Sequence, residues 1–204
     1  MKLLVATRSS GKAREIRDLF RSLPIEVTFP ADLGLVPLPE EADLEQGGTY
    51  AENAAAKARY FAGRTGLPTV ADDSGIEVEV LGGAPGLHSA RWAGADGADQ
   101  DARNNAKLLE ALRDVPAPRR RARYRCVVAY LETPTAAPEI VEATCEGAIL
   151  TAPRGTGGFG YDPLFLSDDL GTSFGEAEPA AKQRVSHRGR AFRALIEVLV
   201  RRAL

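Results

Sequence analysis

The sequence of 204 residues has only two cysteines, Cys126 and Cys145, and neither lies in a CxxC pair or close to a histidine. It therefore lacks the cysteine pattern of a disulfide-stabilised secreted domain and that of a zinc site. We expect a cytoplasmic protein, kept in a reducing environment, whose two thiols are core residues.

The sequence also has no excess of charge, since 28 Asp and Glu residues oppose 26 Lys and Arg residues and leave a net charge of −2. It thus lacks the strongly basic character of a domain that binds phosphate backbones, and we expect no nucleic-acid partner. No stretch approaches the roughly 20 apolar residues of a membrane helix, so we expect no membrane partner either. The first apolar run is interrupted at Arg8, too early for a signal peptide, and we expect mature protein from residue 1.

The composition, with 44% hydrophobic and 26% charged residues, is that of a globular chain long enough to bury a core without disulfides. A length of 204 residues allows one large domain or two lobes that share a core, and we find neither repeats nor a linker. Strand and helix patterns alternate at first and a hairpin pattern follows later. This order predicts an α/β fold with a mixed sheet.

Hydrophobic periodicity predicts the individual helices and strands. Apolar spacing predicts a first helix that contains Ile16, Leu19, Phe20 and Leu23, and Thr49 with Glu52 forms a capping-box pattern that begins a second. Further helices are predicted over residues 100–113 and 188–202. Strands are predicted over residues 2–6, 25–29, 69–71 and 76–80, with a long strand over 122–131 and an antiparallel partner over 139–150.

The first candidate binding segment, Thr7 to Lys12, lies between the first strand and the first helix. It offers hydroxyl groups, backbone N–H groups, a helix N-terminus and the charge of Lys12 to an anion. A P-loop would need Gly at Ala6 and Ser or Thr at Ala13, so the resemblance to that motif is superficial. An ordinary polar turn is the alternative interpretation.

A second candidate is Asp72-Asp73-Ser74-Gly75, which we place at the carboxyl end of an apolar strand, where open α/β sheets bind ligands. Carboxylate oxygens are the ligands that Mg²⁺ prefers, and Glu45 in the acidic loop before the second helix could complete a pair. The same four residues are also typical of a simple turn.

A third candidate is the segment Gly157-Gly158-Phe159-Gly160-Tyr161-Asp162. Its glycines allow close approach of the backbone to a flat ligand, an aromatic ring could stack on that ligand, and Asp162 could bind its hydrogen-bonding edge. The alternative is a flexible surface loop.

A fourth candidate combines Lys182 with Ser186-His187-Arg188-Gly189 at the start of the last helix. Cations at a helix N-terminus oppose the helix dipole unless an anion lies among them, which indicates a binding site. The alternative is a solvated basic turn.

Two weaker patterns point elsewhere. Arginines between residues 119 and 125 could bind nucleic acid, although alternation along a strand is more typical of a solvated face. Ser74 with His88 or His187 could suggest a hydrolase triad, but the sequence has no Gly-x-Ser-x-Gly elbow.

Taken together, these segments resemble the inosine triphosphate pyrophosphatase family, also called Ham1-like or non-canonical purine NTP pyrophosphatases. The matching segments occur in the family's order and span nearly the whole chain. They are residues 4–12, Thr49-Tyr50-Ala51-Glu52-Asn53-Ala54 through Lys57-Ala58, residues 71–75, Gly82-Gly83-Ala84-Pro85-Gly86 with Ser89-Ala90-Arg91, residues 157–162 and residues 186–189.

The resemblance implies Mg²⁺-dependent hydrolysis of ITP, dITP and XTP to the monophosphate and pyrophosphate by a homodimer. It implies two α/β lobes, flanked by helices, around a long mixed sheet with the active-site cleft between them. Glu45 and Asp73 would bind the metal, and Asp73 would also activate water. The implied substrate-binding residues for the phosphates are Thr7, Arg8, Ser9, Ser10, Gly11, Lys12 and Lys57, and Ser74 would lie beside the substrate. Those implied for the base are Phe159, Gly160, Tyr161, Asp162, Lys182, His187 and Arg188.

The sequence departs from the family at Arg8-Ser9, where Gly-Asn is common, so an amide contact is lost and the loop is less flexible. Two other functions remain open. One is a Maf-like pyrophosphatase for modified pyrimidine nucleotides, and the other is a non-catalytic binder of nucleotides or nucleic acid that uses the arginines between residues 119 and 125.

Overall fold

The computed structural model describes residues 1–94, 97 and 99–203. Its helices are α1 (Ser10–Phe20), α2 (Tyr50–Thr65), α3 (Gln100–Ala111), α4 (Pro179–Val185) and α5 (His187–Ala203). Its strands are β1 (Lys2–Val5), β2 (Glu26–Thr28), β3 (Thr69–Val78), β4 (Arg121–Leu131), β5 (Glu139–Ile149) and β6 (Phe165–Ser167). Among these described helices, none has the length and apolar character needed to cross a membrane.

The strands form one six-stranded sheet in the order β2-β1-β3-β4-β5-β6. Strand β1 is parallel to both β2 and β3, whereas β5 and β6 are antiparallel. The mixed sheet of an α/β fold, predicted from the order of the patterns, is therefore confirmed. The two long strands β4 and β5 are neighbours, as the hairpin pattern indicated.

The predicted start of α2 is also confirmed. Thr49 is the N-cap, and its hydroxyl accepts a hydrogen bond from the backbone N–H of Glu52 at 3.1 Å. Gly66 ends the helix in the left-handed conformation, with φ of 69°, which glycine adopts without steric cost. The local capping residues therefore fix both ends of the helix that carries Lys57.

The chain divides into two compact units. The first comprises Met1–Asp73, Cys126–Ala143 and Ala191–Leu204. Within it, alternate residues from Leu3 to Ala6 enter different clusters. Leu3 and Val5 pack with α1 and α5, whereas Leu4 and Ala6, the residue that follows β1, pack with α2. Successive strand residues point to opposite faces, so the sheet of this unit is covered by helices on both sides.

The second unit comprises Ser74–Arg125 and Thr144–Arg190. Its core joins Leu108 and Leu112 at the end of α3 to Tyr124 of β4 and to Phe165 of β6. Arg120 is buried beside this core, and its guanidinium donates to the carbonyl oxygens of Leu112, Val115 and Leu150. The carbonyl group of Leu112, the C-cap residue of α3, is thereby hydrogen-bonded.

Some details differ from the sequence-based expectations. Residues 72–75 are neither a strand end nor a turn, because β3 continues through them from Thr69 to Val78 as one strand. Helix α1 ends at Phe20, so Leu23 packs on the core from outside the helix. Helix α4 was missed, since Pro179 begins a helix of only seven residues, too short for a clear apolar period.

Candidate active site

Asp72 and Asp73 lie in the middle of β3 but beyond the end of its neighbour β1. The register pairs Val5, the last residue of β1, with Val70. The loop that follows β1 and the start of α1 therefore lie beside this stretch of β3. The prediction that the strand ends before Asp72 is wrong, and the shorter neighbour β1 provides the open edge instead.

The two aspartates have different partners, because adjacent strand residues point to opposite faces. Asp72, buried on the face that packs with α1, lies 2.9 Å from the ammonium of Lys12. Asp73, on the face that packs with α2, accepts a hydrogen bond from Asn53 Nδ2 at 2.9 Å. One dipeptide thus contributes a carboxylate to each side of the sheet.

Lys57 of α2 is buried and lies at the centre of a charge cluster. Its Nζ atom lies 2.7 Å from Glu45 Oε1, 3.4 Å from Asp73 Oδ1 and 2.7 Å from the backbone carbonyl oxygen of Asp72. Burial lowers the pKa of Lys57, but attraction by Asp73, Glu45 and Asp72 outweighs it, so the pKa is raised overall. Lys57 therefore carries its charge at neutral pH and holds the two carboxylates together.

Asn53 is a site residue that the sequence-based reasoning did not assign. It is buried, and its Oδ1 atom accepts from the backbone N–H of Gly47 while its Nδ2 atom donates to Asp73. Asn53 precedes Lys57 by four residues, so the two side chains share one face of α2. That spacing was a signal that could have identified it.

Glu45 and Asp73 were predicted to bind a divalent cation, and their donor chemistry fits one. Both present carboxylate oxygens, and Lys57 already lies within contact distance of both. Mg²⁺ often uses one or two protein carboxylates together with water and phosphate oxygens. In the part of the chain that the structure describes, no group of three or more His, Cys, Asp or Glu side chains is arranged to hold a metal ion.

In the loop after β1, Ser9 is the N-cap of α1, and its hydroxyl accepts from the backbone N–H of Lys12 at 3.3 Å. Ser10 and Gly11 already belong to α1, whereas Thr7 accepts from the N–H of Ser9 through its hydroxyl at 3.2 Å. The predicted helix N-terminus is therefore present, and Lys12 lies in the first turn of α1.

Arg8, predicted to bind phosphate, is held by protein groups. Its Nε atom donates to Glu41 Oε2 at 2.9 Å, and one terminal nitrogen donates to Glu41 Oε1 at 2.7 Å. The hydrogen bond to Glu41 raises the pKa of Arg8, and the same bond lowers the pKa of Glu41.

In the second unit, the glycine-rich segment is ordered around Asp162. Its Oδ2 atom accepts from the backbone N–H of Phe159 at 2.8 Å and from Lys182 Nζ at 2.6 Å. Gly158, with φ of 74°, lies so close that a Cβ atom there would collide with this carboxylate. The segment is thus a fixed turn and not a flexible loop.

Helix α3 also holds this turn. Asp101 accepts from the N–H of Gly160 at 2.7 Å, and Asn105 donates to the carbonyl oxygen of Gly160 at 2.9 Å. Asp101 and Asn105 were not predicted as site residues. They lie four residues apart and therefore share one face of α3.

The structure distinguishes the two aromatic residues of this turn. Tyr161 is buried, and its hydroxyl donates to the carbonyl oxygen of Ser89 at 2.8 Å, so it is a core residue; burial raises its pKa. Phe159 is only partly buried, with Lys182 Nζ 5.0 Å and Arg188 Cζ 5.6 Å from its ring centre. Of the two rings, Phe159 is the one available for stacking.

The predicted residues at the start of α5 also lie in this second unit. Arg188 donates to the hydroxyl of Ser74 at 2.9 Å, which joins residues 114 apart in sequence. The ring of His187 stacks on Tyr124 with a centroid separation of 4.5 Å and an interplanar angle of 7°. Lys182 lies in α4 and pairs with Asp162, so it does not oppose the dipole of α5 as the sequence suggested.

Three arginines of β4 pair with carboxylates. Arg121 pairs with Asp168 at 2.6 Å, and Arg123 and Arg125 both pair with Glu77, at 2.7 and 3.7 Å. Each of these three arginines therefore has a carboxylate partner, and Arg123 and Arg125 share the same one.

The sequence matches the family model described as the Ham1 family over residues 3–198. The chain belongs to the Ham1 family. It is 47% identical over 194 residues to a dITP/XTP pyrophosphatase of Xanthomonas campestris, an alignment that covers 95% of this chain and 94% of the relative. It is 43% identical to a dITP/XTP pyrophosphatase of Escherichia coli K12, over 97% of this chain and 98% of the relative.

Solved structures of Ham1 proteins agree with this assignment. The HAM1 protein from Coxiella burnetii superimposes with a TM-score of 0.85 at 37% identity, covering 98% of this chain and 99% of that one. The Ham1 protein of Staphylococcus aureus gives a TM-score of 0.80 at 30% identity, over 98% of each chain. The predicted family and its α/β fold with a mixed, helix-flanked sheet are therefore confirmed.

Proposed function

We propose that this Ham1 protein hydrolyses non-canonical purine nucleoside triphosphates, namely XTP, ITP and dITP, to the nucleoside monophosphate and pyrophosphate. The observation that carries this proposal is the close similarity to dITP/XTP pyrophosphatases over almost the whole chain. The cluster formed by the buried Lys57 and Asp73 with the partly buried Glu45 supplies groups suited to the chemistry. The reaction would remove deaminated purines from the pool of nucleotide precursors by converting their triphosphates to monophosphates.

The metal of this reaction would be Mg²⁺, held by Glu45 and Asp73. When bound, it supplies positive charge that polarises the phosphoryl oxygens and stabilises the charge that develops on them. A triphosphate carries about four negative charges, and a protein of net charge −2 must therefore concentrate its cations where the phosphates bind.

Asp73 would act as the general base that removes a proton from the attacking water. Its Oδ2 atom is oriented by Asn53 and its Oδ1 atom lies near Lys57, so the carboxylate is fixed before substrate binds. A base that is already oriented loses less entropy on reaching the transition state. Water then attacks the α-phosphorus, and pyrophosphate leaves from the opposite side.

The phosphate chain would be bound by Lys57 and by the loop and helix start that follow β1. Thr7, Ser9, Ser10 and Gly11 would contribute hydroxyl and backbone groups at the N-terminus of α1, where the helix dipole favours anions. Lys12 would add its charge, and its contact with Asp72 keeps that ammonium on one face of β3.

The base would be bound by residues of the second unit. Phe159 would stack on the purine, while Gly160 and Asp162 fix the turn that carries this ring. Lys182, His187 and Arg188 would place donors toward the six-position carbonyl, and Ser74 would lie beside the substrate with Arg188. The amino group of adenine would leave those donors unpaired, which disfavours ATP.

We further propose that residues 1–204 act as a single domain of two lobes, that the enzyme is a homodimer, and that it works in the cytoplasm, where nucleotide precursors are used. Cys126 and Cys145 are buried and form no disulfide, which accords with a reducing compartment.

The decisive experiment is a product assay with purified protein, MgCl₂ and a panel of ITP, dITP, XTP, GTP, ATP, dTTP and UTP. We expect monophosphate and pyrophosphate from ITP, dITP and XTP, with far slower turnover of the other nucleotides. Release of orthophosphate and a diphosphate would overturn the reaction type. A preference for dTTP or UTP would instead indicate the Maf-like function, and binding of oligonucleotides without turnover would indicate a non-catalytic protein.

A further inference from the structure

Arg8 and Glu41 form a contact that links two segments far apart in the sequence. Arg8 lies in the loop after β1, whereas Glu41 lies in the short 3₁₀ helix Pro39–Asp43. The guanidinium donates two hydrogen bonds to the carboxylate, at 2.9 and 2.7 Å, and a third to the carbonyl oxygen of Leu35. Such a two-pronged contact fixes both partners in orientation as well as in distance.

Further contacts hold the same carboxylate and the same guanidinium. Glu41 Oε1 also accepts from Arg64 of α2 at 3.2 Å and from the backbone N–H of Leu38 at 3.3 Å. The guanidinium carbon of Arg8 lies 5.4 Å from the ring centre of Phe61, another α2 residue. The Glu41 side chain is only 12% exposed, so water competes little for these bonds.

Glu45 follows this anchored segment directly. The backbone N–H of Leu44 donates to the carbonyl oxygen of Glu41 at 3.3 Å, so the position of Glu41 is transmitted to the residue next to Glu45. Glu45 in turn reaches Lys57 at 2.7 Å. The short helix therefore connects the Arg8 contact to the carboxylate of the candidate metal site.

We propose that Arg8 is a positioning residue: it pins residues 35–45 through Glu41 and thereby sets Glu45 beside Lys57 and Asp73. This inference rests on the proposed function only for its consequence in catalysis. It replaces the role of phosphate ligand that the resemblance implies for position 8. Three of the five N–H groups of Arg8 are already donated to Glu41 and Leu35, so a phosphate bound in two-pronged fashion through Nε would displace Glu41. Lys12, in the first turn of α1, is a second cation nearby.

The first test measures hydrogen exchange of the backbone amides of Leu38 and of residues 40–45 in the protein without metal or nucleotide. In Arg8→Met these amides should exchange about tenfold faster than in the unaltered protein, because the segment loses its anchor. Arg8→Lys should behave similarly, since an ammonium cannot reproduce the two-pronged geometry. Unchanged exchange in both variants would overturn the proposal.

The matched control is Arg17→Met. Arg17 also combines a carboxylate partner, Asp32 at 3.3 Å, with an aromatic ring, Phe29 at 4.7 Å. It lies in α1 of the same unit, and both of these partners precede residues 35–45. Its loss should leave exchange in that segment unchanged, and a change equal to that of Arg8→Met would overturn a specific role for Arg8.

The second test separates positioning from phosphate binding by steady-state kinetics with ITP. Positioning predicts that the Mg²⁺ concentration needed for half-maximal activity rises about tenfold in each of the single variants Arg8→Met, Arg8→Lys and Glu41→Gln. The double variant Arg8→Met/Glu41→Gln should show the same rise and no more, because both changes break the same contact. A phosphate ligand predicts a raised KM for ITP in Arg8→Met, near-normal behaviour in Arg8→Lys, and an unaffected Glu41→Gln. That second pattern would overturn the proposal.

The two tests also separate this inference from the proposed function. If the protein failed to hydrolyse any nucleotide, the proposed function would fall, but the exchange experiment would still decide whether Arg8 pins the segment. If exchange were unchanged while ITP was hydrolysed, the positioning role would fall and the function would stand.

Discussion

The ammonium of Lys57 lies 2.7 Å from Glu45 and 3.4 Å from Asp73, so one buried cation is shared by two carboxylates from different parts of the chain. A divalent cation held by both carboxylates would therefore lie close to this ammonium. Lys57 is thus expected both to stabilise the metal-free protein and to complement phosphate charge when substrate binds.

Replacement of Lys57 by Met should strongly destabilise the metal-free protein. Removal of one partner from a buried charge cluster leaves the others uncompensated and costs about 3 kcal/mol, which corresponds to a melting temperature about 10 °C lower. Since the carboxylates would then lack a cation, MgCl₂ should raise the melting temperature of the variant more than that of the unaltered protein. Thermal unfolding with and without MgCl₂ measures both effects.

Lys2→Met is the control for this prediction. Lys2 and Glu26 form an exposed pair at 3.8 Å, and exposed pairs contribute little to stability. Equal melting temperatures for the two variants would contradict the importance of the Lys57 cluster.

Asp73→Asn should reduce turnover of ITP by about 10²- to 10⁴-fold, because an amide cannot accept the proton of the attacking water. The fold should persist, since an amide of the same shape can still hydrogen-bond to Asn53. Initial rates and circular dichroism of the same preparation check both statements. Asp168→Asn, which alters an exposed carboxylate paired with Arg121, should retain activity, and full activity in Asp73→Asn would remove Asp73 from its role.

Phe159 and Tyr161 should have separable effects. Phe159→Ala should raise the KM for ITP roughly tenfold, since stacking of an aromatic ring on a base contributes about 1–3 kcal/mol, while the melting temperature changes little. Tyr161→Phe should leave the KM unchanged but cost about 1 kcal/mol of stability, because Ser89 loses its buried hydrogen-bond donor. The reverse pattern in kinetics and denaturant unfolding would show that Tyr161 is the stacking ring.

The Arg8–Glu41 contact should produce a defined pH dependence of stability. The pKa of Glu41 is lowered in the folded protein, chiefly by its hydrogen bond with Arg8. The stabilisation is therefore fully present above the unfolded pKa of about 4.3, and it is lost as pH falls through the lower folded pKa. The difference in melting temperature between the unaltered protein and Arg8→Met should be constant near neutral pH and shrink in acid.

Glu41→Gln provides the control for this pH dependence, because it lacks the titrating carboxyl. The difference between Glu41→Gln and the double variant Arg8→Met/Glu41→Gln should not vary over the same pH range. A shrinkage of that second difference in acid would assign the effect to another group.

Much of the local structure was predictable because short-range physics governs it. The Thr49 cap, the left-handed Gly66 and the apolar spacing of α1, α3 and α5 all depend on residues within a few positions of one another. The candidate segments were found for a similar reason, since their glycines, carboxylates and cations are adjacent in sequence. The short helix α4 and the continuity of β3 were missed because neighbouring strands and packed elements outweigh weak local signals.

The sequence by itself determined the α/β class, the capped helix that carries Lys57 and the identity of the reactive groups. Only the tertiary structure decided which group meets which: Asp72 with Lys12, Asp73 with Asn53 and Lys57, and Arg8 with Glu41. The alternation of β3 assigns the two aspartates to opposite faces, but only the packing of α1 and α2 on those faces selects their partners. Contacts between residues tens of positions apart depend on that packing, which no local pattern in the sequence encodes.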